Sequence, residues 1–135
     1  MIFCDTSTLA KYYVVERESA AVRAHLDAAD QVMVSALARA ELMGVFHRRL
    51  REQKWTRSQF LAVVGQFSKD DSGGFWLWVS LDDEVIEQSA RTYATLPGTV
   101  FLRTADCLHL VTALRHGFEE IHTHDTHQIK AGPAL

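Results

Sequence analysis

Cysteine is nearly absent from this chain. Its 135 residues hold two, Cys4 and Cys107, each inside an apolar segment. That number and placement exclude a disulfide scaffold and a cysteine-based zinc site, and two small buried hydrophobes in a reducing compartment are expected instead. Proline (two) and glycine (seven) are also scarce, which leaves little material for long structureless linkers. No uncharged apolar stretch approaches the ~20 residues of a membrane span. Met1 leads at once into Ile2-Phe3-Cys4 rather than into a basic leader with a cleavage site, so a soluble, cytoplasmic protein is expected. Positive charge is not in excess either. A formal net charge of −3 excludes gripping nucleic acid by bulk charge, although a basic patch over an acidic site gives the same sum. What is present, 47% hydrophobic and 23% charged residues, matches an ordinary globular chain, and the length suits one domain over residues 1–135.

Short apolar runs alternate with helical patterns. Strands are expected at 2–4, 32–34, 75–79 and 121–124. Helices are expected from the Asp5–Thr8 cap to Tyr13, then at 16–29, 36–53, 57–69, 83–95 and 105–116. Thr56 and Gln59 have capping-box spacing, Ser35 suits an N-cap, Asp70–Gly74 reads as a break, and Gly117 as a stop. This order predicts an α/β fold, a three-layer α/β/α arrangement around a mainly parallel sheet of four to five strands. In such sheets ligands bind outside the carboxyl ends of the strands.

Four carboxylates stand at strand–helix junctions or on apolar helix rows: Asp5 after Ile2-Phe3-Cys4, Glu41 between Leu37 and Val45, Asp106 in the row of Leu110, and Asp125 after Ile121–His124. Carboxylates beside apolar segments are costly to bury unless they share a cation or a hydrogen-bond network. Four converging on one point would repel one another, and a hard divalent ion, Mg²⁺ or Mn²⁺, is the simplest remedy. Taken singly, Asp5 and Asp106 read equally as helix caps or dipole partners, so the combination carries the signal.

The segments Ile2-Phe-Cys-Asp5-Thr-Ser7, Ser35-Ala-Leu-Ala-Arg-Ala-Glu41, Leu102-Arg-Thr-Ala-Asp106-Cys-Leu-His-Leu110 and His122-Thr-His-Asp125 together resemble those of a PIN-domain ribonuclease. The resemblance is to the VapC-type toxins of bacterial toxin–antitoxin pairs. It implies a PIN-like fold and a Mg²⁺-dependent endoribonuclease, with Mn²⁺ able to substitute. It carries the acidic quartet over to Asp5, Glu41, Asp106 and Asp125, and matches Thr6, Ser7 and Thr123 to the polar positions lining the family's site. Asp5, Glu41 and Asp106 are expected as direct metal ligands, and Asp125 as a residue acting through water or orienting the nucleophile of an in-line attack on phosphorus. A VapB-like cognate antitoxin, an RNA substrate and a homodimer are the implied partners. The surface around Leu9, Tyr12, Tyr13 and the helix 36–53 is the expected antitoxin seat, with an antitoxin arginine pairing to the acidic site. After Asp125 the chain departs from the family, which usually continues with a further helix and edge strand; here Gln128–Leu135 follow.

The same residues suit other chemistries. His122 and His124 share a strand face and suit zinc with a third ligand, but with carboxylates at hand a hard, oxygen-ligated ion is the stronger expectation. Arg48, Arg49, Arg51, Lys54 and Arg57 form the one basic cluster, either a solvated helix end or a phosphate track for RNA. Trp76 and Trp78 are expected in the core rather than stacked on bases. A phosphatase with a phospho-aspartyl intermediate at Asp5 is a rival, weakened because Ser7 stands where a second carboxylate is wanted. A non-catalytic PIN-like protein-binding module is another.

Overall fold

The computed structural model describes residues 1–124, 129 and 132–135. Three strands, β1 (Ile2–Cys4), β2 (Val32–Ser35) and β3 (Trp76–Val79), pair in parallel in the order β1-β2-β3. The register sets Ile2 beside Val32 and Val32 beside Trp76. Because side chains alternate along a strand, Ile2, Cys4, Val32, Val34, Trp76 and Trp78 fall on one face, where they join a single apolar cluster. Helices α1 (Thr6–Tyr13), α2 (Ser19–Ala28), α3 (Leu37–Arg51) and α4 (Arg57–Ser72) cover that face with Leu9, Leu26, Leu42, Phe46 and Phe67. Helices α5 (Asp83–Thr95) and α6 (Thr104–Arg115) build a second cluster from Val85, Cys107, Leu110 and Val111. There α6 lies against β2, and Phe3 packs its ring on Phe118 at 5.5 Å. The parallel sheet flanked by helices is the architecture the sequence predicts. Among the described residues no helix is long and apolar enough to cross a membrane.

Local chemistry explains most boundaries. Asp5 caps α1 by accepting from the Thr8 amide, and Thr56 with Gln59 forms the complete capping box of α4. Ser35 ends β2 and accepts the Leu37 amide at 3.2 Å, but the N-cap of α3 falls on Ala36, one residue past the expected Ser35. Both cysteines are free and buried, and burial raises both thiol pKa values, most at Cys4, where the charge of Asp5 adds to it.

Three expectations need correction. The strand 121–124 contracts, among the described residues, to one parallel bridge of His122 with Cys4, so three strands and a bridge replace the four to five predicted. Beyond His122 the backbone serves other partners: the His124 amide donates to Ser7 Oγ at 2.8 Å instead of extending a ladder. The break expected at Asp70 is displaced past Ser72, because Asp70 and Asp71 are held by distant partners, Tyr13 and Arg39 among them, and the turn falls to Gly73 and to Gly74 at φ +76°. Third, Leu9 and Tyr13 are core residues rather than part of an apolar surface.

Tyr13 ties three elements together. Its hydroxyl donates to Asp70 at 2.6 Å and accepts the buried Trp76 indole N–H at 2.7 Å. Tyr13→Phe is expected to lower stability by about 1–3 kcal/mol, the cost of stranding a buried donor. Urea unfolding with an unchanged slope checks this, and a midpoint equal to wild type would refute it.

Candidate active site

The end of β1, the loop into α1, and the facing turns of α3 and α6 meet at the carboxyl ends of the strands. Asp5 leaves β1 with its amide bonded to the His122 carbonyl at 3.2 Å. Its carboxylate is almost fully buried, 1% exposed, and accepts from Ser7 Oγ (2.8 Å), Thr123 Oγ1 (2.7 Å) and the Thr8 amide (3.2 Å). Ser7 and Thr123 hydroxyls also lie 3.3 Å apart. Burial pushes the Asp5 carboxyl above its ordinary pKa, and the hydrogen bonds from Thr123, Ser7 and Thr8 offset only part of that push. A cation nearby would supply what these neutral donors do not.

Glu41 lies on the row of α3 beside the core row Ala38, Leu42 and Phe46, and its side chain keeps 32% of its exposure. Thr6 Oγ1 donates to its Oε1 at 2.7 Å, and the same oxygen lies 2.6 Å from His109 Nε2. Burial raises the Glu41 pKa, but the bonds from His109 and Thr6, with the nearby Arg103 charge, outweigh it and hold the carboxyl below its ordinary value. Asp106, in the first turn of α6, is buried and pairs through Oδ2 with Arg103 Nε at 2.8 Å.

The structure thus joins Asp5 with Ser7 and Thr123, and Glu41 with Thr6. His109 on α6 carries Glu41 toward the helix that bears Asp106. Among the described residues no three carboxylate, imidazole or thiol groups converge closely enough to hold an ion directly. Asp125 and His127 lie outside the described residues. The strand histidines pack and hydrogen-bond: the His122 ring lies 4.7 Å from that of His25, and His124 Nδ1 is 3.0 Å from Thr8 Oγ1.

The basic cluster sits at the far end of α3. Arg48 is seven residues beyond Glu41, about 10 Å along the axis and on the same face, whereas Arg51 and Lys54 lie beyond the turn that Arg48 occupies. Local ion pairs hold several of these groups: Arg48 and Lys54 with Glu52, and Arg49 with Glu16. Two further basic side chains make contacts that the sequence did not reveal. Arg103 pairs with Asp106, and Arg39 bonds Asp71 with its guanidinium 4.7 Å from the Trp78 ring centre. His109 was also missed, though a signal existed: it stands three residues after Asp106, on the same helical face.

The chain matches the family model described as PIN domain over residues 2–132. No curated protein sequence matches it significantly. Among solved structures, the sarcin-ricin loop cleaving toxin VapC20 of Mycobacterium tuberculosis is similar, with TM-score 0.75 and 15% identity over 98% of this chain and 95% of that one. FitAcB from Neisseria gonorrhoeae has TM-score 0.76 and 20% identity over 98% and 94%. A toxin–antitoxin complex from Klebsiella pneumoniae gives TM-score 0.60 and 21% identity over 93% and 88%. At these identities the likeness establishes the fold.

Proposed function

The chain belongs to the PIN domain family, and on that footing we propose that it is a metal-dependent endoribonuclease, the toxin of a toxin–antitoxin pair. The observation that carries the reading is the buried Asp5 carboxylate at a strand's carboxyl end, its pKa raised by burial and its orientation fixed by Ser7, Thr123 and the Thr8 amide. Asp5, Glu41 and Asp106 would hold Mg²⁺ or Mn²⁺, with Asp125 as the fourth acidic residue. The donor chemistry fits: every acidic donor is oxygen, and Mg²⁺ keeps several waters while taking one or two carboxylates directly, so it does not require a closed protein cage. When bound, the ion supplies Lewis-acid stabilisation of the charge that develops during in-line hydrolysis of a phosphodiester.

The chain's own groups prepare that site. Ser7, Thr123 and the Thr8 amide fix the orientation of Asp5, and Thr6 restrains Glu41. Arg103 keeps Asp106 paired in the free protein. Arg48, in line with Glu41 along α3, begins the proposed RNA track that Arg49, Arg51 and Lys54 continue. Partnership with an antitoxin is supported by the toxin–antitoxin complex among the similar folds, and an arginine from that partner would pair with the acidic site. A homodimer is part of the same proposal.

The test is brief expression in a host lacking the neighbouring gene, with growth followed and RNA ends sequenced. Arrested growth and new RNA ends at a restricted set of sites are expected, with both reversed by co-expression of the neighbouring gene. Normal growth and an unchanged set of ends under strong expression would overturn the toxin reading.

A further inference from the structure

His109 is buried to 1% exposure in α6, yet it is not a satisfied core histidine. Its Nδ1 has no hydrogen-bond partner among the described residues. Burying a ring nitrogen unpaired is unfavourable, so packing alone does not account for a histidine here. The other nitrogen, Nε2, lies 2.6 Å from Glu41 Oε1 and 3.3 Å from Thr6 Oγ1. An ionised carboxylate only accepts hydrogen bonds, so Nε2 carries the proton and donates it. Thr6 donates to the same oxygen at 2.7 Å. Two donors converging on Oε1 fix the carboxylate plane and leave Oε2 as the oxygen still open to a ligand.

We infer that His109 is a positioning residue: its Nε2–H, with Thr6, holds Glu41 so that one oxygen is occupied and the other faces the proposed metal. The inference rests on the nuclease reading and deepens it by assigning an orienting partner to one ligand. Glu41 needs such a partner because it is about one-third exposed on a helix, where an unrestrained glutamate side chain samples several rotamers. The arrangement resembles, with roles reversed, the carboxylate that orients a metal-bound histidine; loss of such a partner typically weakens metal affinity or activity about 10–100-fold.

Two near-isosteric variants separate positioning from packing. In His109→Gln the side-chain amide nitrogen reaches the place of Nε2, whereas in His109→Asn it reaches only that of Nδ1 and falls short of Glu41. Mn²⁺ binding to the purified proteins, read by loss of the free-ion electron paramagnetic resonance signal, is expected to stay within about threefold of wild type for the glutamine variant. For the asparagine variant it is expected to weaken about 10–100-fold. Equal Mn²⁺ affinity in the two variants overturns the inference. Wild-type protein that binds no Mn²⁺ overturns both the inference and the nuclease reading, so the two failures are distinguishable. A second measurement does not depend on the variants folding. The ¹⁵N shifts of the His109 ring in wild-type protein are expected to show a protonated Nε2, and a bare Nε2 overturns the assignment.

Discussion

Asp5→Asn is expected to reduce RNA cleavage by more than the roughly 100-fold that follows loss of a residue standing behind a metal ligand, with no loss of fold. Asparagine is as good an N-cap as aspartate, so the bond from the Thr8 amide that starts α1 survives. The Ser7 and Thr123 hydroxyls can turn to accept from the new amide where they now donate to the carboxylate. What disappears is the negative charge that would attract the cation. Stability should move in the opposite direction from activity. The folded-state pKa of Asp5 is raised above its ordinary value of 3.8, chiefly by burial. The folded protein therefore binds this proton more tightly than the unfolded chain does. Ionisation of Asp5 destabilises the metal-free fold as pH rises from that ordinary value through the folded-state pKa, and the penalty is fully present above it. The asparagine variant lacks this penalty. Its melting temperature should match wild type below the ordinary aspartate range and exceed it near neutrality, both measured in chelator. An active variant would remove Asp5 from the chemistry. A variant less stable than wild type at neutral pH would refute the electrostatic account.

Removal of divalent ions is expected to stop cleavage completely, and Mg²⁺ or Mn²⁺ to restore it. The same result is expected whichever RNA is cut. Among the described residues the acidic site presents carboxylates and hydroxyls, and Glu41 and Asp106 are engaged by groups of the protein itself, His109 with Thr6 and Arg103. A cation must compete with those contacts, so binding should be weak and reversible by EDTA, and saturation should require more Mg²⁺ than a closed carboxylate cage would. Gel assays with nuclease-free protein decide this. Full cleavage in EDTA would exclude the metal mechanism.

How legible these features were in the sequence depends on the range of the interaction. The capping box at Thr56 and Gln59 and the cap at Asp5 use residues a few positions apart, and both formed where the sequence places them. The alternation of short apolar runs with helical patterns led correctly to a parallel sheet with helices on it. The misplaced break at Asp70 had the opposite cause. Nothing near Asp70 in the chain reveals that Tyr13 will donate to it across 57 positions, or that Arg39 will reach Asp71 across 32. Strand 121–124 failed for a related reason, since the hydroxyl of Ser7 captures an amide that a longer ladder would have used. In the site, acidic residues were visible because they are anomalous on apolar rows. His109 was less visible, because histidine on a buried row is an ordinary sight until its partner on another helix is known.

Asp5 is made well before Thr123, which donates to it and follows 118 positions later. The carbonyl of His122, which receives the Asp5 amide, is equally late. Polypeptides leave the ribosome N-terminus first and begin to fold as they emerge. During translation, then, the key carboxylate is exposed early but lacks its clamp until residue 123 has emerged. If the chain cuts RNA, the ribosome making it is shielded from the nascent product by the order of synthesis alone, before any inhibitor needs to arrive.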